Sequence, residues 1–401
     1  MYLEIPRKFG PIIHQAQQVA REVFRPISRK YDRAEHTYPK ELDMFAHVVD
    51  GMNAGAGEHG AAGAAKLSRS GNGNGSGNRN GTNMNTVLSL TEVCWGDVGL
   101  ALSIPRQGLG NSAIAAVANE EQLARFGDTW AAMAITEPSA GSDSAAIRTT
   151  ATEDGDHYVI NGEKIFVTAG DRADAVVVWA SLDRSLGRAA IKSFVVEKGT
   201  PGMTVERLEK KLGIRASDTA TIRFENCRVP KENLLGDPSV DKGFAGAMQT
   251  FDNTRPVVAA MAIGVARAAL EKTRELLAEG GHGSRYAAQP WTLPAADREL
   301  QLLEAELEAA RLLTLRAAWM ADNGQPNSKE ASMAKAKAGR VANTITLRCV
   351  ELCGSLGYGE TELLEKWARD SKILDIFEGT QQIQLLIIAR RLLGKSSAEL
   401  K

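Results

Sequence analysis

The hydrophobic period of the chain changes twice, and those two changes limit the folds open to it. Between about 131 and 236 the apolar residues form short β-branched or aromatic runs, Tyr158-Val-Ile160, Ala175–Ala180, Ser193–Val196 and Thr221–Phe224, separated by Gly, Asp and Asn turns. On either side the spacing is helical. Leu300, Leu303, Leu307 and Ala310 share one helix face, as do Val341, Ile345, Cys349, Leu352 and Leu356. After Pro256 the pattern stays helical almost to the end, while residues 11 to 50 suit one or two helices broken near Pro26 and Pro39. Helices, then strands, then helices predict a mainly α, α+β chain. The expected organisation is an N-terminal helical domain over 1–130, a small middle β domain over 131–240 and a C-terminal four-helix bundle over 241–401.

Composition narrows the partners. Across 401 residues, 48 Lys and Arg face 49 Asp and Glu, so a net charge of −1 gives no global reason to bind nucleic acid or an anionic membrane. No run approaches the ~18 apolar residues of a membrane span, and the first residues lack the basic start and apolar core of a signal peptide, so a cytoplasmic location is expected. From Gly51 to Asn85 the chain is dominated by Gly, Ala, Asn and Ser and reads as a flexible loop or lid. The GxGxxG string at 55–60 follows a helical pattern and leads into low complexity, so it is not read as a dinucleotide turn. Cys94, Cys227, Cys349 and Cys353 are too few and scattered for a disulfide framework. Without a nearby His, Cys349 and Cys353 read as small buried hydrophobes and no metal site is expected.

Two stretches invite chemistry. Ala134-Ile-Thr-Glu-Pro-Ser-Ala-Gly-Ser-Asp143 sets hydroxyls and small residues in a turn just before the strands, where backbone amides can approach a ligand; a plain turn explains it equally. Asn161–Gly170 offers a turn, an aromatic and a threonine, also explicable as turn and strand. Taken with RFENCRVPKENLLG at 223–236, FDNTRPVVAA at 251–260 and WARDSKILDIFEGTQQIQ at 367–384, ITEPSAGSD at 135–143 and INGEKIFVTAG at 160–170 form five ordered motifs. Together they resemble the acyl-CoA dehydrogenase family over most of the chain.

The resemblance implies FAD as cofactor, with Met133, Ile135, Thr136, Gly141, Ser142, Phe166, Val167, Thr168, Thr380 and Gln382 around it, although core packing would equally explain Phe166 alone. It implies Glu378 as the base that takes the α-proton of an acyl-CoA thioester, with a pKa raised by desolvation. The thioester oxygen would be held by the Glu378 backbone N–H, and Gly379 permits the close approach. Ser142, Asp252, Arg255 and Gly379 would contact substrate, although Arg255 could equally pair with Asp252. Pro256 suits the first turn of a helix. The base position used by some members falls on Thr254, which cannot serve. The implied product is the trans-2-enoyl-CoA, in fatty acid or steroid side-chain β-oxidation, and the implied oxidant is an electron-transfer flavoprotein.

The resemblance breaks where the family builds the ADP half of the FAD site of a neighbouring subunit. Those positions fall on Gly280–Ser284, Leu293-Pro294 and Glu351–Ser355, which supply no arginine and place a carboxylate near the pyrophosphate. The expected assembly is therefore an α2β2 tetramer with a homologous subunit and half as many flavins as chains. An oxidase using O₂, and a non-catalytic subunit completing a partner's flavin site, are the rival readings. Gly96 and Gly99 suggest room for a bulky acyl group, and straight, branched and steroid-like acyl groups all remain open.

Overall fold

The computed structural model describes residues 5–44, 46, 81–106, 108–239, 245–282, 286, 288–396 and 399, with side chains except at 245–253 and 290. It is mainly helical, with a curled seven-stranded sheet in the middle of the sequence and a helical C-terminal part. The first helix, α1 (Gly10–Val19), does not break at Pro26 as expected. It widens into a π turn over Ala20–Phe24 and continues as α2 (Arg25–Arg33), so Pro26 lies inside a continuous helical run, directly after the wide turn. Residues 37–39, around Pro39, are not helical.

Of the glycine-rich stretch expected to be a loop, residues 82–85 instead open helix α3 (Thr82–Gly96), and 51–80 lie outside the described residues. The start of α3 is capped from a distance. The buried carboxylate of Asp322 accepts from the backbone N–H groups of Asn83 (2.8 Å) and Met84 (3.0 Å), meeting two donors a helix leaves unpaired. Helices α4 (Val98–Ala101), α5 (Leu109–Val117) and α6 (Glu120–Phe126) follow, and α6 begins with a capping box between Asn119 and Gln122.

The strands are β1 (Ala131–Ala134), β2 (Thr150–Asp154), β3 (His157–Thr168), β4 (Ala175–Ser181), β5 (Ile191–Glu197), β6 (Met203–Leu208) and β7 (Thr219–Pro230). The path runs β1-β4-β2-β3-β7-β6, with β5 also on β4. Every residue of β4 is buried, which its unbroken apolar run reflects. β1 pairs parallel to β4, and α5 and α6 cover that region through Ala113, Ile114 and Phe126.

Helix α7 (Ala245–Glu279) begins eleven residues before Pro256, so that proline lies inside the helix and not in its first turn. Helices α8 (Ala295–Asp322) and α9 (Ser328–Tyr358) pack along it, α3 lies against α7 and α8, and α10 (Leu364–Ser371) and α11 (Gln381–Leu393) close on α9. One apolar core joins Phe24, Tyr31 and Val93 to Val258, Ala338 and Ile345, so the early and late helices are buried together. The expected face of α9 holds through Val341, Ile345 and Cys349 but fails at Leu356, which is half exposed. Gly354 at φ +56, ψ −125 breaks the helical geometry two residues earlier and turns the face away. Gly96 and Gly99 leave no room for substrate. A Cβ on Gly96 would stand 2.9 Å from the Ala20 backbone, and one on Gly99 3.3 Å from Ile214 Cα, so both allow close packing of the protein on itself.

Candidate active site

Two groups of the expected residues form, each tied by its own bonds. The first sits where β1 ends beside β3. Ile165 N donates to Thr136 O at 2.9 Å, which joins the ITEPSAGSD turn to the flank of β3. The bond is reinforced by a buried pair absent from the sequence expectation: Lys164 Nζ lies 2.8 Å from Glu137 Oε1 and 3.1 Å from Ile135 O. Glu137 also accepts from the N–H groups of Arg148 (2.6 Å) and Thr149 (2.9 Å) and from the Thr149 hydroxyl (2.6 Å). Burial pulls the Lys164 pKa down to about 8, opposed by Glu137. Each motif also carries another acidic residue, Asp143 in the first and Glu163 in the second, so the sequence alone does not mark Glu137 and Lys164 as the buried pair.

On this frame Phe166 takes φ +57 at an irregularity in the β3–β7 register, and its ring is 60% exposed, which excludes core packing. A bulky residue in the left-handed region at a bulge is strained in a way associated with function. Gly141 and Ser142 are exposed, and a Cβ on Gly141 would meet nothing. Met133, Thr136 and Thr168 are half-buried. The side chains of Ile135 and Val167 are buried in two separate apolar clusters, and their carbonyls accept from Lys164 Nζ and Gly170 N.

The second group surrounds Glu378, just before α11. Glu378 and Gly379 are both left-handed, at φ +54 and +93. Their carbonyls are held from behind: Gln384 Nε2 donates to both at 3.1 Å, and Lys335 Nζ donates to that of Gly379 at 2.7 Å. The Glu378 carboxylate accepts from the Thr254 hydroxyl, while its Oε2 is buried with no hydrogen-bond partner among the described residues. Burial raises its pKa, and Thr254, Lys335 and Arg255 pull it back. Arg255 is buried, with Nη1 3.5 Å from Ser332 Oγ. The Asp252 side chain lies outside the described residues. Thr380 caps α11 by accepting from Ile383 N, and Gln382 is exposed.

The sheet is docked on the helices by the connection between β6 and β7. Gly213 lies so close to Arg369 that a Cβ would stand 2.5 Å from its backbone, and Ile214 N donates to Asp370 Oδ1 at 2.6 Å. Asp370 shares the fully buried Lys366 with Asp97, to which Ser28 also donates. A single polar cluster thus fastens α2, α4, α10 and the sheet connection together, with each charge met by another.

Residues 132–227 match the middle domain of acyl-CoA dehydrogenases, and residues 241–393 match their C-terminal domain. Over 98% of its length the chain is 34% identical to the whole of the short-chain specific acyl-CoA dehydrogenase of Clostridium acetobutylicum. The chain belongs to the acyl-CoA dehydrogenase family. It is 44% identical over 267 residues to the mitochondrial short-chain specific acyl-CoA dehydrogenase of Rattus norvegicus, an alignment taking in 67% of this chain and 64% of that relative's length. Butyryl-CoA dehydrogenase from Megasphaera elsdenii has the same fold, with a TM-score of 0.82 at 30% identity, covering 98% of this chain and all of that one.

The three positions expected to serve a neighbour's ADP group lie in the helical C-terminal part. Gly280 and His282 end α7, and Leu293 is buried. Glu351 is exposed and paired with Arg348, which also holds Glu299. One arginine thus faces two carboxylates, and the face stays net negative. Among the described residues no helix is long and apolar enough to cross a membrane, and no group of three or more His, Cys, Asp or Glu could hold a metal ion.

Proposed function

We propose that this chain carries out α,β-dehydrogenation of an acyl-CoA thioester, with Glu378 as the base. One observation carries the reading: Glu378 Oε2 is buried and unpartnered among the described residues, at a left-handed residue whose backbone is fastened by two side chains. A carboxylate in that state is desolvated and raised in pKa, so it is a stronger base than one in water. The α C–H bond breaks with its proton going to Oε2, the β-hydrogen leaves with its electron pair on the opposite face, and the product is the trans-2-enoyl thioester. The Glu378 backbone N–H takes the thioester oxygen as negative charge grows on it.

The sheet group suits FAD. The exposed Phe166 ring offers an apolar face, and the exposed Gly141 and Ser142 with half-buried Thr168 and Met133 offer backbone and hydroxyl contacts, with Thr380 and Gln382 completing the set. FAD bound there supplies the hydride acceptor. An electron-transfer flavoprotein is the proposed oxidant. The short-chain specificity in the relatives' names supports a short acyl group, and the filled space at Gly96 and Gly99 offers nothing to a larger one. Because Gly280, Leu293 and Glu351 give no cation to a neighbour's pyrophosphate, the proposed assembly is a heterotetramer with a homologous subunit that retains one.

Anaerobic bleaching of the flavin absorbance tests this reading. Butyryl-CoA should bleach the purified yellow complex, and Glu378→Gln should keep the flavin and lose the bleaching. Bleaching at an undiminished rate in Glu378→Gln would remove Glu378 as the base. Faster bleaching by a long-chain or steroid-like thioester would overturn the short acyl group.

A further inference from the structure

Lys335 lies on α9 between Ala334 and Ala336, and all three are buried. An ammonium there is costly unless something nearby needs it. Its Nζ donates to the Gly379 carbonyl at 2.7 Å, directly behind the base, and Gln384 from α11 holds the same carbonyl and that of Glu378. A non-glycine residue in the left-handed region is disfavoured by contact of its Cβ with the backbone, so the Glu378 conformation at φ +54 needs outside support. The charged and titratable groups around Glu378 come from every element packed against it. These are Arg255 from α7 and Lys335 from α9, with the Thr254 hydroxyl from α7 bonded to the carboxylate, while Asp375 from the turn after α10 faces Lys335.

We propose that Lys335 is a positioning residue for the base: its ammonium fixes the left-handed 378–379 pair through the Gly379 carbonyl and brings a buried positive charge to the loop that carries the Glu378 carboxylate. The proposal rests on Glu378 being the base. The two contributions separate chemically. A glutamine at 335 keeps a donor toward the carbonyl and drops the charge, a methionine drops both, and an arginine keeps both. Burial pulls the Lys335 pKa down to about 8, so the comparison belongs below pH 7, where the lysine is charged.

The experiment uses the flavin-loaded complex with Lys335→Gln, Lys335→Met and Lys335→Arg, each checked for flavin content and thermal midpoint. The Glu378 carboxyl is titrated by infrared difference spectroscopy, its band identified by its loss in Glu378→Gln, and the pH profile of anaerobic bleaching is recorded beside it. Removing the charge should move the Glu378 titration upward by roughly one pH unit in both Gln and Met variants, which slows bleaching about tenfold on the acid limb. Lys335→Met should lose about a further tenfold on the plateau, and Lys335→Arg should restore the limb. An unmoved Glu378 titration in Lys335→Gln overturns the proposal, and that variant keeps the test open if Lys335→Met does not fold. Should Glu378→Gln still bleach at full rate, the base assignment falls, whereas the infrared titration still reports on Lys335 independently of activity.

Discussion

The hydroxyl of Thr254 on α7 bonds the carboxylate of Glu378 on the loop before α11. Thr254 thus supports the proposed base. As the proposed base Glu378 would act deprotonated, and burial raises its pKa, so activity should fall as pH drops through that raised value. Thr254→Val removes a bond that lowers the pKa. The acid limb of the bleaching rate should therefore move to higher pH, by up to about one unit, or ~1.4 kcal/mol. A limb unmoved in the folded variant would detach Thr254 from the base.

The Lys164–Glu137 pair should be worth most when half of it is missing. Lys164→Met leaves the Glu137 carboxylate buried among backbone donors and should cost about 3–5 kcal/mol in urea denaturation. Lys164→Met with Glu137→Gln should recover a large part of it. A double variant no better than the single would show that the pair acts through packing alone.

The same lysine gives a pH signature. Its folded pKa of about 8 lies below the 10.5 of an exposed lysine, so between these values the unfolded chain holds a proton that the folded chain has released. Its contribution to stability therefore rises with pH across that window, and its penalty is fully present below pH 8. Lys164→Met should lose this slope relative to the parent in denaturation midpoints measured from pH 8 to 10.

Gly96→Ala should act on folding and leave substrate preference alone. The added methyl would press on the Ala20 backbone at 2.9 Å, and overpacking of this kind costs about 1–3 kcal/mol. The thermal midpoint should fall while the ratio of rates on four-carbon and eight-carbon thioesters stays put. A changed ratio would return Gly96 to the acyl pocket.

Assembly is checked by flavin absorbance per chain. With no cation from Gly280 or Leu293, a tetramer of this chain alone forgoes a charge-assisted bond of about 1.5–3 kcal/mol to each pyrophosphate, which weakens FAD by one to two orders of magnitude. The chain alone should retain little flavin after gel filtration, and a mixed tetramer should hold about one per two chains. One tightly bound flavin per chain in a pure homotetramer would refute the heteromer.

The long helices and β4 were legible because burial writes itself into spacing: an unbroken apolar run for β4, a repeating face for α8 and most of α9. β1 was not, since Ala131-Ala-Met-Ala134 carries no strand propensity and becomes a strand by pairing with β4. The same tertiary override placed Pro256 inside α7, where packing on α9 and α3 outweighs one lost backbone bond. At the candidate site, Glu378 could be picked out only by its motif. Its left-handed backbone and the lysine beneath it come from residues 43 positions apart, and no local pattern records such a meeting.

The π turn over Ala20–Phe24 amounts to one residue more than an α-helix needs, and each residue in a helix advances the azimuth by about 100°. Everything downstream in α2 owes its facing to that extra step: Arg25 between the rings of Trp95 and Trp367, Ser28 against Asp97, and Asp32 against Arg369. The turn is thus a phase setting for the helix that follows. Losing one residue from it would re-phase α2, swing all three side chains off their partners at once and loosen the fastening of the sheet, although Arg25, Ser28 and Asp32 would themselves be unaltered.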